Sequence, residues 1–264
     1  RVVKNMSQDT INSVAKAFEV IRVMSRQPRW ELGEICRATG FPKTTVFRIV
    51  LTLEEQGVVV QERKGGTYQL SLELFKIGSS IVSHFDLVDL ARPACRALLQ
   101  AIDETVNLTV PSGLDMLVVD KYVTTQILRP DSVIGTSFPI YRSASGKVYL
   151  AYLPESERNE FLQRIKTDTA GVTTKDLEMF SSEFESVRKY GFGYDNEEIY
   201  LGVRCIAAPI FDHSGQVVAT LSCSIPSIRM NDNSEQLFFS EVVRAAVQIS
   251  RTLRAPENIL RRSG

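Results

Sequence analysis

With 264 residues, 44% of them hydrophobic, the chain can bury one large core or two modest ones. No secretory signal is visible, and no apolar run approaches the roughly 18 residues of a membrane span. Four scattered cysteines (Cys36, Cys95, Cys205, Cys223) and two histidines (His84, His213) exclude a zinc cluster and a disulfide framework; they suit a reducing cytoplasm and imply no cofactor. The net charge of zero hides a basic first third, with 12 Lys+Arg against 8 Asp+Glu in residues 1–80 and 19 against 23 in the remainder. That asymmetry fits a nucleic-acid-facing module joined to a different one.

Ile11, Val14, Phe18 and Ile21 recur at helical spacing, so Thr10 to about Met24 reads as an amphipathic helix that Pro28 terminates. A short helix follows over about Glu31–Thr39, with Leu32 and Ile35 inward and Gly40 as its stop. Pro42 suits a first helical position, and a third helix runs from there to about Gln56, closed by Gly57. Helix, short helix, tight turn and helix is the helix-turn-helix arrangement. On the third helix Val46, Ile49, Val50 and Leu53 share the core side. Lys43, Thr44, Thr45, Phe47 and Arg48 crowd its start and outer face, where recognition helices meet base edges and phosphates. The stretches 58–62 and 67–70 then form a hairpin with Arg63, Lys64 and two glycines at its tip, a wing placed to meet phosphate or the minor groove. A three-helix bundle with a solvated face and a charged surface turn is the plainer alternative.

Leu72 to about Phe85 reads as a connecting helix, and about Leu87–Ile102 as another with Pro93 near its start. Short apolar runs over Val106–Val110, Leu117–Val123 and Gly135–Ile140 read as strands. Helices are expected over Ser145–Leu153, about Ser156–Lys166, Lys175–Tyr190 and Ser234–Leu253. Strands grouped among flanking helices argue for an α+β domain. Gly146-Lys147 is not a phosphate loop, because no glycine stands five residues before Gly146 and Val148 replaces Ser/Thr. Ser143-Ala144-Ser145-Gly146 does open a helix, whose free N–H groups suit a carboxylate; a serine cap explains the same residues.

The most informative stretch runs from Tyr190 to Pro226: strand, acidic turn, long apolar strand, His-Ser-Gly turn, second apolar strand. Asp195, Cys205, Ser222 and Ser224 are polar side chains that an apolar hairpin does not require, and together they suggest a small polar pocket. The residues alone also fit a core cysteine, serines on a solvent face and an aspartate closing a turn.

Three segments carry a family resemblance. GFPKTTVFRIVLTLEEQGVV with GGTYQLS resembles the DNA-binding domain of IclR-type bacterial transcription regulators. FPIYRSASGKVYLA and GYDNEEIYLGVRCIAAP resemble two signatures of that family's effector domain, and the likeness spans roughly residues 10–255. The resemblance implies a mostly α winged helix-turn-helix domain over residues 8–72, a linker helix over 73–86, and an α+β GAF-like effector-binding domain over 87–258. It places the ligand-facing turn on Ala144 and Ser145, the pocket acid on Asp195, the pocket cysteine on Cys205 and two strand serines on Ser222 and Ser224. Ala144-Ser145 stands where several relatives have Gly-Ala, which makes this turn bulkier and adds a hydroxyl.

The leading expectation is a regulator that binds double-stranded DNA at a palindromic operator as a homodimer or tetramer, modulated by a small organic or sugar acid. It implies no enzyme activity and no membrane. The alternatives are a GAF-like enzyme using thiol chemistry at Cys205, and a regulator controlled by a protein partner. No histidine lies near Cys205 in sequence to activate the thiol.

Overall fold

The fold comes from a computed structural model that describes residues 11–63, 65–82 and 86–260, and the chain divides into two compact units between residues 85 and 86. Lys64, His84 and Thr10 lie outside the described residues. Among the described residues no helix is long and apolar enough to cross a membrane.

In the first unit α1 spans Asn12–Met24, α2 Leu32–Thr39 and α3 Lys43–Glu55. The α1 helix buries Val20, Val23 and Met24, whereas Ile11, Val14 and Phe18 are 67%, 50% and 55% exposed. Of the four residues whose helical spacing located α1, only Ile21 packs against this core, because only the C-terminal half of the helix reaches it. The α2 helix starts with a reciprocal cap in which the Glu31 backbone N–H donates to the Glu34 carboxylate at 2.9 Å. It ends at Gly40, whose φ of 72° is the left-handed conformation that stops a helix. Pro42 is the cap before α3 rather than its first residue, since its ψ of 144° is extended. Val46, Val50 and Leu53 of α3 are buried and Ile49 packs partly against them, as the spacing indicated.

Strands β1 (Val59–Gln61) and β2 (Tyr68–Leu70) pair antiparallel, Val59 opposite Leu70. Trp30 adds a bridge that periodicity did not reveal. Its backbone exchanges hydrogen bonds with Tyr68 at 2.9 and 2.8 Å, and its indole N–H donates to the Met24 carbonyl at 3.0 Å. The wing is thereby tied to the end of α1. Helix α4, Glu73–Val82, follows with its first N–H capped by Ser71 Oγ at 3.1 Å.

The second unit opens with α5, Asp86–Ile102, in which Pro93 stands in the interior rather than near the start. Strands β3 (Thr105–Ser112), β4 (Asp115–Tyr122) and β5 (Ser137–Pro139) precede α6 (Ala144–Tyr152), α7 (Glu155–Asp168), α8 (Thr174–Ser182) and α9 (Phe184–Tyr190). The single helix expected over Lys175–Tyr190 is thus two, broken at Glu183. Strands β6 (Gly193–Asn196), β7 (Val203–Phe211) and β8 (Val217–Pro226) lead to α10 (Asp232–Thr252) and a short α11 (Glu257–Leu260) that the sequence did not announce.

The six strands form one antiparallel sheet in the order β5-β4-β3-β8-β7-β6. Side chains alternate faces along a strand, and that alternation decides the site. Val106, Leu108, Ile206, Ala208, Leu221, Cys223 and Ile225 face a core shared with α5 and α10. Asn107, Thr109, Cys205, Ser222 and Ser224 point the opposite way. On that face α6, α8 and α9 cover one end of the sheet through Val148, Phe180, Phe184 and Ala207, and the polar residues occupy the end they leave.

Candidate functional site

Two surfaces carry chemistry, one in each unit. On the first, Lys43, Thr44, Phe47 and Arg48 of α3 are exposed and Thr45 is half-buried, so the outer face is presented as the spacing indicated. No side chain caps the helix start at Pro42, which leaves first-turn N–H groups facing outward. Arg63 is exposed in the wing's turn, which closes by a 2.7 Å bond from the Gly66 N–H to the Arg63 carbonyl. Leu51, 42% exposed, lies on the same outer face, where helical spacing puts it with Thr44 and Arg48.

In the second unit a cavity of about 290 Å³ opens between the sheet and the start of α6, and all six residues named for it line it: Ala144, Ser145, Asp195, Cys205, Ser222 and Ser224. Two glycines permit the approach of α6. A Cβ on Gly146 would lie 1.7 Å from the Ile140 carbonyl oxygen, and one on Gly193 would lie 2.7 Å from that of Ala144. Ser143, not Ser145, caps α6 by accepting the Gly146 N–H at 3.0 Å. The Ala144 and Ser145 N–H groups belong to the first turn, before the helix supplies acceptors, and their residues face the cavity.

Sequence reasoning missed the floor. Asn107, only 2% exposed, uses its amide Nδ2 to donate to Ser224 Oγ at 3.4 Å, and its Oδ1 accepts from Ser132 Oγ at 3.0 Å. Thr109, Thr136, Phe138 and Tyr200 also line the cavity. Once β3 is placed beside β8, the pairing of Asn107 with Ser222 puts both on one face; no local signal in the sequence names that partner.

Asp195 is 1% exposed, and its Oδ1 accepts the Glu198 N–H at 2.7 Å. Burial pushes its carboxyl up to about 6; the Glu198 charge adds to the rise, while the Glu198 N–H and the Lys147 ammonium oppose it. Lys147 is itself 1% exposed, with its Nζ donating to Glu183 at 2.8 Å, Glu198 at 2.6 Å and the Tyr194 carbonyl at 2.8 Å. All three donors of the ammonium are therefore occupied. This clamp joins α6, the break between α8 and α9, and the loop after β6. Beyond it, Glu197 holds the loop base with φ at 66°, accepting from the Gly202 N–H at 2.8 Å and Ser227 Oγ at 2.7 Å.

Burial pushes the Cys205 thiol up to about 12, with Asp195 adding to the rise, and its sulfur lies 3.4 Å from Ser224 Oγ. A thiol held protonated is not an activated nucleophile. His213 stands exposed in the turn between β7 and β8.

Two family models cover this chain. Residues 13–63 match the IclR helix-turn-helix domain, and residues 79–251 match the bacterial transcriptional regulator IclR C-terminal domain. The chain belongs to the IclR family of bacterial transcription regulators. It is similar to the HTH-type transcriptional regulator KdgR of Dickeya chrysanthemi, with 32% identity over 92% of this chain and 80% of that protein. Its fold matches the IclR of Thermotoga maritima with a TM-score of 0.72 and 28% identity, over 93% of this chain and 100% of the other. An IclR homolog from Microbacterium hydrocarbonoxydans, solved in complex with 4-hydroxybenzoate, matches with a TM-score of 0.76 at 21% identity, over 93% and 100%. As an IclR regulator the chain is a helix-turn-helix transcription factor and not an enzyme, which removes the thiol-chemistry alternative.

Proposed function

We propose that this IclR regulator binds a palindromic operator and that a small organic or sugar acid, held in the cavity of the second unit, sets its operator affinity. The observation that carries this reading is the cavity itself. About 290 Å³ is the lower end of the range for ligand sites, and its polar wall is built from hydroxyls, an amide and a helix start. First-turn N–H groups at Ala144 and Ser145 suit a carboxylate, while Asn107, Ser222 and Ser224 suit hydroxyl or carbonyl groups behind it. The 4-hydroxybenzoate held by the Microbacterium homolog is an acid of comparable size.

In this reading Lys43, Thr44, Thr45, Phe47 and Arg48 enter the major groove, and Arg63 and Lys64 reach phosphate from the wing. One recognition helix reads one half-site, so two copies are required, and a tetramer arises when dimers pair. The second unit acts as a GAF-like effector domain, and the linker segment over residues 73–86, which includes α4, carries its state to the DNA-binding domain in the cytoplasm. The effector alters operator binding only by favouring one arrangement of the paired domains.

Thermal unfolding against a panel of small carboxylates and sugar acids tests the reading. An acid at about 100 times its dissociation constant adds about 2.7 kcal/mol of stability. The same acid must change the protein's affinity for its own promoter DNA. A null panel with intact promoter binding would point to a protein partner instead.

A further inference from the structure

We infer that the effector acid binds as an anion together with one proton taken up from solvent, and that this proton resides on the Asp195 carboxyl. The inference rests on the acid-effector reading and adds a pH-dependence to the same site.

The charge arrangement of the cavity carries it. None of the residues lining the cavity is Lys, Arg or His. The buried ammonium nearest in sequence to the helix start, Lys147, has its three N–H groups on Glu183, Glu198 and the Tyr194 carbonyl. An anion in the cavity is therefore met by neutral donors and by no free cation of the lining. Asp195 faces the same space and is 1% exposed, so as a carboxylate it would place a second buried negative charge against the ligand. Protonation removes that repulsion. It also turns the carboxyl into a donor, while Oδ1 keeps its 2.7 Å bond from the Glu198 N–H.

The other groups around Asp195 pull both ways, the Glu198 and Ile199 N–H groups favouring the carboxylate against the burial that favours the neutral form. Glu198, on the loop after β6, adds negative charge, and Lys147 on α6 opposes it while shared with Glu183 at the α8–α9 break. Cys205, its partner across β6 and β7, is held as a neutral thiol. Asp131, at the rim, is 87% exposed and lies 3.6 Å from Lys121. Tyr200 also lines the cavity. Burial has already raised the Asp195 carboxyl to about 6, which lessens what the ligand must supply to retain the proton near neutral pH. The proton moves from solvent to a carboxylate oxygen, with no covalent bond to the ligand.

Isothermal titration of the full chain with glyoxylate, gluconate and 4-hydroxybenzoate, at about pH 5.5 and about pH 7.5, tests this. Each titration is repeated in two buffers of different ionisation enthalpy, which counts protons. An acid that binds is expected to bind about 20-fold more weakly at the higher pH, with uptake approaching one proton there. Asp195→Asn, whose amide donates without titrating, is expected to bind that acid at both pH values with the affinity the native chain shows at the lower one. Equal affinity at both pH values with no proton uptake overturns the inference and leaves the acid-effector reading standing. A folded Asp195→Asn protein that retains the native pH slope, or binds nothing at the lower pH, also overturns it. Failure of all three acids at both pH values overturns the acid-effector reading and the inference with it.

Discussion

The two units handle polarity in opposite ways. Among the described residues the first unit buries no polar or charged side chain, whereas the second buries twelve, six of which line one cavity. The first keeps an apolar core of residues such as Val46, Val50 and Trp30 and displays its cations and hydroxyls outward on α3 and the wing. A polyanion can be met by solvated charges, because counterion release contributes much of the affinity. A small solute offers little surface, so its site must desolvate polar groups and keep them bonded or pointed at the ligand. Substitutions should therefore act on recognition in the first unit and on stability and recognition together in the second.

The largest break is expected at Lys147. Truncation to alanine leaves Glu183 and Glu198 without their shared cation, and removing one partner of a buried pair costs roughly 3–5 kcal/mol. Those carboxylates are 42% and 36% exposed and can rehydrate, so urea unfolding of Lys147→Ala should show a loss at the lower end, about 3 kcal/mol. A loss under about 1 kcal/mol would show that the clamp is structurally idle.

Asp195 comes next. Its folded-state value, about 6, lies above the ordinary carboxyl range, so the neutral form favours the fold. Its contribution is fully present below the unfolded-state value near 3.8 and is lost as pH rises through about 6. The loss amounts to roughly 2–3 kcal/mol by pH 7. Asp195→Asn should remove that fall and unfold at higher denaturant than the native chain at neutral pH. A native protein equally stable at pH 4.5 and 7 would contradict the desolvated carboxyl.

These two residues also mark the limit of what the sequence made legible. Period-two spacing put Ser222 and Ser224 on one face, and the polar residues inside an apolar hairpin singled out Asp195 and Cys205, whose pairing across β6 and β7 only the structure gives. The helix-turn-helix could be followed because caps, glycine stops and apolar spacing are local. Lys147, by contrast, resembled only a failed phosphate loop, since its three partners come from the break between α8 and α9, from β6 and from the following loop. Asn107 was hidden because β3 and β8 pair across more than a hundred residues. The exposed face of α1 misled for a related reason: Ile11, Val14 and Phe18 have helical spacing, but spacing cannot say whether the apolar stripe meets this core.

In the first unit Arg48→Ala should leave the unfolding midpoint nearly unchanged, since the side chain is exposed. Promoter binding should weaken by about 1–3 kcal/mol if the guanidinium reads a base, and the salt slope should flatten by about one counterion if it holds phosphate. Fluorescence anisotropy at several salt concentrations separates the two. Unchanged affinity at every salt concentration would remove α3 from the interface.

The finest contrast lies between two buried serines of the second unit. Ser250 Oγ accepts the Phe211 N–H at 2.9 Å and donates to the Ala246 carbonyl at 2.8 Å, tying α10 to the sheet. Ser250→Ala strands a buried N–H, so about 1–2 kcal/mol of stability should go while acid binding stays unchanged. Ser222 Oγ reaches only the Asn107 carbonyl, at a long 3.5 Å, and its hydroxyl faces the cavity. Ser222→Ala should barely move the unfolding midpoint, yet weaken binding of whichever acid the panel returns by about 1 kcal/mol, or roughly fivefold. The opposite pairing, with Ser222 needed for folding and Ser250 for binding, would mean that the cavity floor is structural and that the ligand contacts another wall. Ser222 is expected to matter for the ligand because its hydroxyl, poorly bonded within the fold, retains hydrogen-bonding capacity that only an occupant of the cavity can use.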